Sequence, residues 1–426
     1  MITHFSHRLL AKTEVRYHGL SNTLFLYTQR DFVDRRADMR LSWSSSTLES
    51  IKEVFSPFIS SRVLIVLIGW LSNLIILKSN NYDDPHSILD LFFRWDSGWY
   101  LAIVQNGYFY TPGAQSSVAF FPLYPLLVKM FSFSVFDPKI TGFVISNVAL
   151  FLAMICLFKL IKLDYGDEKT ALDAVLFLLI FPTSFFLSVF YSESLFLMLS
   201  LICFYYARKH RWFVSSVAGF FAALTRSVGV FLFIPILVEY LSPISAGETR
   251  PASAGILTRA VLSVRSLLAR IKKDILWLLM IPVGLLTYMF YLYLQFREPF
   301  AFLKAEAAWD RSFSFSFSTI MSIFSYDPFY AAIFGSFTVV SIALVIYLIY
   351  RRVRLSYIVY CAVQLFLVFT SGIIESLPRY LSVLFPLFLG LALIARNKTS
   401  SDIIKFFSMS VLTLFVILFA NGYWLV

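Results

Sequence analysis

The chain is short of charge: Asp, Glu, Lys and Arg make up 14% of its 426 residues, against the roughly 25% usual in soluble domains. With 59% hydrophobic residues and a mean hydropathy of +0.76, that shortage excludes an ordinary water-soluble globular surface. Cysteine is scarce as well. Cys156, Cys203 and Cys361 each lie inside an apolar run, with neither metal-ligand spacing nor a disulfide framework. The five histidines, at 4, 7, 18, 86 and 210, have no spacing suited to a metal. Walker and dinucleotide fingerprints are absent, so nothing points to ATP or NAD. The first 62 residues hold no apolar stretch long enough for a cleavable signal peptide, so the first span is expected to act as its own anchor. Internal repeats, common in transporters, are not apparent.

What is abundant is apolar and aromatic. There are 47 Phe and 23 Tyr, a composition that suits lipid-facing and interfacial surfaces. Apolar runs fall at about 63–77, 140–161, 171–190, 194–207, 213–240, 275–296, 328–350, 355–372, 379–395 and 403–425. A span needs about 20 such residues, which predicts an all-α polytopic membrane protein with about ten or eleven transmembrane helices. Residues 1–62, with nine Lys/Arg and six Asp/Glu, read as a cytoplasmic tail, and 63–426 as one transmembrane domain.

The net charge is 36 − 25 = +11. Its basic residues gather at the ends of apolar runs, which sets membrane orientation and argues against a nucleic-acid partner. The clusters are Lys159/Lys162, Arg208–Arg211, Arg250–Lys273, Arg351–Arg354 and Arg396–Lys398. With a cytoplasmic N-terminus, alternate crossings place all of them on the cytoplasmic side, provided that 118–136 lies at the interface and does not cross. The outer face then receives a long first loop (78–139), the Ser192–Ser194 turn, the Arg226 region, the 297–327 loop and the Glu375–Tyr380 turn. Acidic residues Asp83, Asp84, Asp90 and Asp96 in the first loop agree with that. The Asn397-Lys-Thr glycosylation pattern would face the cytoplasm and stay silent. The one low-complexity stretch is a Ser/Phe alternation at 312–318.

Three features carry possible chemistry. In RWDSGWY (94–100), Ile88–Gly107 reads as a helix lying on the membrane with Leu89, Phe92, Trp95 and Trp99 on its apolar face. Asp96 would then sit where water meets lipid, one turn from Trp99 and Tyr100. A capping role, or a pair with Arg94, is the plainer alternative. In FPTSFFLSVFYSESLF (181–196), Glu193 lies among apolar residues beside Tyr191, Ser192 and Ser194. An ionisable group there is a functional hypothesis, and a helix N-cap by Ser192 or Glu193 accounts for it equally and is compatible with a function. Arg226 and Arg379 fall at outer ends of spans, where a guanidinium fork suits a phosphate and where arginines also snorkel to headgroups.

At these residues the sequence resembles the PIG-V-like mannosyltransferases, within the GT-C class of polyprenyl-phosphate-sugar-dependent glycosyltransferases. The resemblance rests on RWDSGWYLAIVQNGY (94–108), AFFPLYPLL (119–127), FPTSFFLSVFYSESLF (181–196), ALTRSVG (223–229) and LPRYLSVLFPLF (377–388). It implies a GT-C fold with interfacial helices in the first external loop, Asp96 as the essential loop aspartate and Glu193 as the acidic position after the third span. The stretch TPGAQSSV before AFFP departs from the acidic stretch of the eukaryotic branch and is more like the prokaryotic one. A multi-pass protein of a prokaryotic plasma membrane is therefore expected, or of the endoplasmic reticulum membrane if the source is eukaryotic. The implied donor is a polyprenyl-phosphate mannose and the acceptor a glycan or glycolipid hydroxyl, with no cofactor and no metal required. Arg94, Trp95, Trp99, Tyr100, Tyr124, Tyr191, Arg226, Arg379 and Tyr380 become substrate-binding candidates, and Asp96 and Glu193 catalytic ones. A flippase of lipid-linked sugars, or a non-catalytic subunit of a transferase complex, remains the alternative.

Overall fold

A computed structural model of the chain describes residues 47–79, 85, 87–133, 135–242, 271–311 and 318–425. Expectations for the tail before residue 47, for Asp83 and Asp84, for Arg250–Arg270 and for the Ser/Phe stretch at 312–317 lie outside the described residues. The chain divides into two compact units, Met1–Glu53 and Val54–Val426. Of the first, the described residues are 47–53, the opening turns of helix α1, Thr47–Ile75. That helix begins well before the apolar run at 63, so part of the expected tail is helical.

The second unit is all-helical among the described residues. Two short helices follow α1: α2, Asp96–Asn106, and α3, Leu123–Ser132. Then come α4 (Pro138–Tyr165), α5 (Glu168–Ile180), α6 (Glu193–Arg208), α7 (Trp212–Thr225) and α8 (Phe233–Leu241). The remaining helices are α9 (Met280–Phe296), α10 (Ala301–Glu306), α11 (Ser318–Met321), α12 (Pro328–Tyr350), α13 (Leu355–Phe369), α14 (Leu377–Leu381), α15 (Phe385–Ile394) and α16 (Lys398–Ala420). The protein is an integral membrane protein. Among the described residues, five helices are long and apolar enough to cross a membrane: α1, α4, α9 with its leading turns (Lys273–Phe296), α12 and α16. The other apolar runs are broken into shorter pieces. The run at 171–190 ends as a helix at Ile180, and the one at 213–240 breaks at Arg226.

Local sequence sets these boundaries. The Asp137 side chain accepts from Lys139 N at 2.7 Å, with Pro138 leading α4; Asp327 and Pro328 open α12 the same way. Such caps satisfy amides that have no partner inside the helix. At ten residues, about 15 Å, α3 is too short to cross, in keeping with a segment 118–136 that does not span.

The bundle's interior runs along α6, which packs between α4 and α7, while α7 packs on α9 and α5 on α15. Leu195, Phe196, Leu201, Cys203 and Phe204 of α6 are buried. Arg62 of α1 is buried too, although the sequence reading placed it in the tail. It donates to Leu179 O (3.2 Å), Ser184 O (3.1 Å) and Ser188 Oγ (2.9 Å). Those carbonyls belong to the end of α5 and the irregular stretch behind it, so Arg62 pins the break that leads into Glu193.

At the C-terminal end of α6 lies a second charged cluster. Arg208 meets Asp164 at 2.7 Å and Glu239 at 3.3 Å, and Arg354 meets Glu239 at 2.7 Å. Ser356 Oγ donates to Glu239 at 2.6 Å, and the Tyr357 hydroxyl to Asp164. Two arginines from the basic clusters are therefore ion-paired across the ends of α4, α6, α8 and α13. With 16 residues in α6, this cluster is about 24 Å from Glu193.

Candidate active site

Each of the four charged candidates sits where a helix starts, stops or bends. Asp96 is the first residue of α2. The expected continuous helix over Ile88–Gly107 is interrupted: a 3₁₀ turn, Ile88–Phe92, precedes the break, and Trp95 takes a positive φ of 52°. The break is held from far along the chain. The Asp96 amide donates to the Tyr191 hydroxyl at 3.2 Å, and that hydroxyl donates to the Arg94 carbonyl at 3.2 Å.

Glu193 opens α6 in the same position. A carboxylate in the first turn faces the positive end of the helix dipole, so capping and function coincide at both acids. Arg226 caps the C-terminus of α7, the end that favours a cation. The turn after it is tight enough to need Gly229, because a Cβ there would lie 2.3 Å from the Ala222 carbonyl oxygen. Arg379 sits in α14, one short turn opened by Leu377 and Pro378.

These four side chains form one continuous ion-pair chain. Arg379 Nη1 is 2.5 Å from Asp96 Oδ2, and Arg379 Nε is 3.3 Å from Glu193 Oε1. Arg226 Nη1 is 2.6 Å from the same Glu193 oxygen and 3.3 Å from Ser192 Oγ. Burial grades along the chain. The Glu193 side chain is 2% exposed, Arg379 7%, Arg226 14% and Asp96 30%. Glu193 is the interior counter-charge, and Asp96 is the member that meets the outside. The second Glu193 oxygen is buried without a hydrogen-bond partner among the described atoms.

Asp96, Arg226 and Arg379 line a cavity of about 750 Å³, together with Tyr100, Phe120, Glu306, Trp309, Arg311, Glu375, Ser376 and Tyr380. Tyr100 is buried and donates to Ser192 Oγ at 2.8 Å, tying α2 to the start of α6. The Tyr380 ring is the meeting point of three guanidiniums: Arg226 at 5.1 Å, Arg379 at 5.6 Å and Arg311 at 5.7 Å from its centroid. Trp99 stacks on Phe120 at 5.7 Å and meets Trp309 edge-on at 5.3 Å.

Not every sequence candidate reaches the cavity. Tyr124 is fully buried and donates to the Gly142 carbonyl at 3.1 Å, so it joins α3 to α4 and stands behind the wall. Tyr191 is also interior, beneath the Arg379 guanidinium at 5.4 Å. Arg94 and Trp95 form the helix break and are not among the lining residues. Conversely, Glu306, Trp309 and Arg311 line the cavity and were not singled out in the sequence. Their one signal in the sequence is a charged residue beside tryptophan, AAWDR. Partial burial raises the Glu306 carboxyl above the usual glutamate range, against the opposing pull of Arg311 and Arg226. Among the described residues, no three His, Cys, Asp or Glu side chains converge as metal ligands would.

No protein-family model matches the sequence. Part of the chain is similar to GPI mannosyltransferase 2 of Schizosaccharomyces pombe (strain 972 / ATCC 24843), at 26% identity over 141 residues. That stretch is 32% of this chain and 30% of the relative. Among solved structures, the chain is similar to the Archaeoglobus fulgidus oligosaccharyltransferase in its apo form, with a TM-score of 0.46 and 11% identity over 86% of this chain and 56% of that one. The same enzyme tethered by a disulfide to an acceptor peptide containing the NVT sequon gives a TM-score of 0.42 at 13% identity, over 86% and 55%. The chain thus spans under a third of the curated relative's length and just over half of the solved chains.

Proposed function

We propose that this protein is a GT-C-type membrane glycosyltransferase of the PIG-V-like kind. It moves a mannosyl residue from a polyprenyl-phosphate mannose to a hydroxyl of a glycan or glycolipid on the extracytoplasmic face. The observation that carries the reading is the ion-pair chain Asp96–Arg379–Glu193–Arg226, whose most exposed carboxylate and both arginines line one cavity. The sugar relative supports the same direction through its name, GPI mannosyltransferase 2.

In this scheme the acceptor oxygen attacks the anomeric carbon while Asp96 takes its proton. The bond from that carbon to the phosphate oxygen breaks, and its electron pair leaves with the polyprenyl phosphate. Direct displacement inverts the centre, so a β-linked donor gives an α-linked product. Arg226 and Arg379 stabilise the charge that develops on the departing phosphate, as fixed cations in a low dielectric do. Glu193 holds both guanidiniums in place. A monophosphate leaves without the metal that a nucleotide diphosphate commonly needs. The N-terminus lies in the cytoplasm, and the enzyme sits in the plasma membrane of a prokaryote.

The test is a transfer assay with purified protein, radiolabelled polyprenyl-phosphate mannose and a mannoside acceptor. Asp96→Asn lowers turnover by about 10²–10⁴, the range for a lost general base. Near-normal transfer by that variant rejects the assignment, and no transfer by the wild type rejects the activity.

A further inference from the structure

Arg379 has two obligations in the reading above: it holds Asp96, and it meets the donor phosphate. The first occupies its Nη1, which is 2.5 Å from Asp96 Oδ2. The guanidinium itself is fixed. It is 7% exposed, its Nε faces Glu193 at 3.3 Å, and it lies between the rings of Tyr191 and Tyr380. Asp96, at 30% exposed on the cavity wall, is the partner with room to move.

The other half of a phosphate seat is present beside it. Arg311 donates to two neutral oxygens, the Tyr380 hydroxyl at 2.7 Å and Ser376 Oγ at 3.0 Å. Among the described residues no carboxylate lies within ion-pair distance of it, in contrast to Arg226 and Arg379. The two other acids lining the cavity are Glu306 and Glu375, and Glu375 accepts from the Tyr326 hydroxyl at 2.9 Å. Arg311 and Arg379 both lie against the Tyr380 ring, at 5.7 and 5.6 Å from its centroid, and a planar fork suits the oxygens of a lipid phosphate.

We propose that the phosphate of the lipid donor, a diester while it carries the sugar, docks between Arg311 and Arg379 and displaces Asp96 from Arg379, so that donor binding itself releases the base. The inference rests on the transfer reading and adds Arg311 and an order of events to it. Exchanging a carboxylate for a phosphate leaves Arg379 with an anionic partner throughout, so no buried charge is orphaned. It follows that Asp96, indispensable for transfer, opposes phosphate binding in the resting protein.

The experiment measures equilibrium binding of radiolabelled undecaprenyl monophosphate, the lipid phosphate that transfer releases, to the purified full-length protein in an uncharged detergent. Asp96→Asn and Asp96→Ala each bind it about tenfold tighter, since one competing charge-assisted bond is gone. Arg311→Gln binds about tenfold weaker. A gain in affinity cannot come from misfolding, so the two Asp96 variants control for each other. Unchanged or weaker binding by both overturns the exchange while leaving the transfer reading intact. Failure of the wild type to bind the phosphate at all overturns the exchange, while the transfer assay decides the transfer reading separately. Phosphatidylglycerol binding as tightly, with the same response to Asp96, makes this a bilayer-headgroup site. Inorganic phosphate doing so makes it a free-anion site, and either result overturns the donor assignment.

Discussion

Glu193 and Arg226 allow the interior of the site to be weighed by a double-mutant cycle. Removing one partner of a buried ion pair costs about 3–5 kcal/mol, because the other charge is stranded in low dielectric. Here the low end applies to Glu193→Gln, since Arg379 keeps Asp96 at 2.5 Å and Arg226 keeps Ser192 Oγ at 3.3 Å and the Tyr380 ring. About 3 kcal/mol is the expected loss. Arg226→Gln should lose a similar amount, with Glu193 left to Arg379 Nε at 3.3 Å. The double variant strands neither charge. It should lose about 3 kcal/mol again, where independent effects would sum to about 6, a coupling of about 3 kcal/mol.

The protein supplies its own probe for this measurement. Cys203 and Cys361 are both fully buried, so a thiol-reactive fluorogenic dye reports their exposure as the bundle opens in a dodecyl sulfate titration or on heating. Losses that add to within about 0.5 kcal/mol would mean the two side chains act independently. That result sinks the claim that Glu193 is the shared interior counter-charge.

Two further predictions concern the periphery of the site and the opposite end of the bundle. Glu239→Gln, which removes the negative charge shared by Arg208 and Arg354 and one of the two oxygens that they and Ser356 use, should lower stability by about 3 kcal/mol. It should leave the KM for donor and acceptor unchanged, and a large KM shift in a transfer assay would contradict a purely structural role. Partial burial raises the Glu306 carboxyl, with Arg311 and Arg226 opposing. The folded state then holds a proton that the unfolded chain has lost, so stability falls as pH climbs from the ordinary glutamate range through the raised value. Glu306→Gln should flatten that part of a thermal-stability profile against pH, and an unchanged slope assigns it to another group.

The charged members of the site were readable because they are out of place. Asp96, Glu193, Arg226 and Arg379 are ionisable groups in apolar surroundings, where each demands a reason, and the structure joins all four in one chain of contacts. Arg311 escaped notice because a charged residue in an exposed-looking loop demands none. The helix break before Asp96 escaped for another reason. Nothing local in DLFFRWDSGWY stops a helix, and the partner that holds the break open is Tyr191, ninety-five residues later. The broken runs after α5 and α7 are similar. Periodicity and length describe an apolar segment, while a break depends on whether distant donors reach its freed backbone groups.

That dependence explains why the chemistry gathers at helix ends. Backbone carbonyls and amides released inside a bilayer have no water to turn to and must be met by protein. In this protein, side chains that meet them also set where the site's charges begin or break their helices. Arg62 holds the carbonyls between α5 and α6, so that Glu193 can begin α6 in the interior. Tyr191 closes the gap before Asp96 with one hydroxyl, accepting from one side and donating to the other, while its ring lies under Arg379. The groups that make an interrupted helix tolerable are thus the groups that fix the positions of the charges. A substitution at Tyr191 would accordingly loosen the Asp96 break and the Arg379 support together, which is why the break and the ion-pair chain are one structural unit.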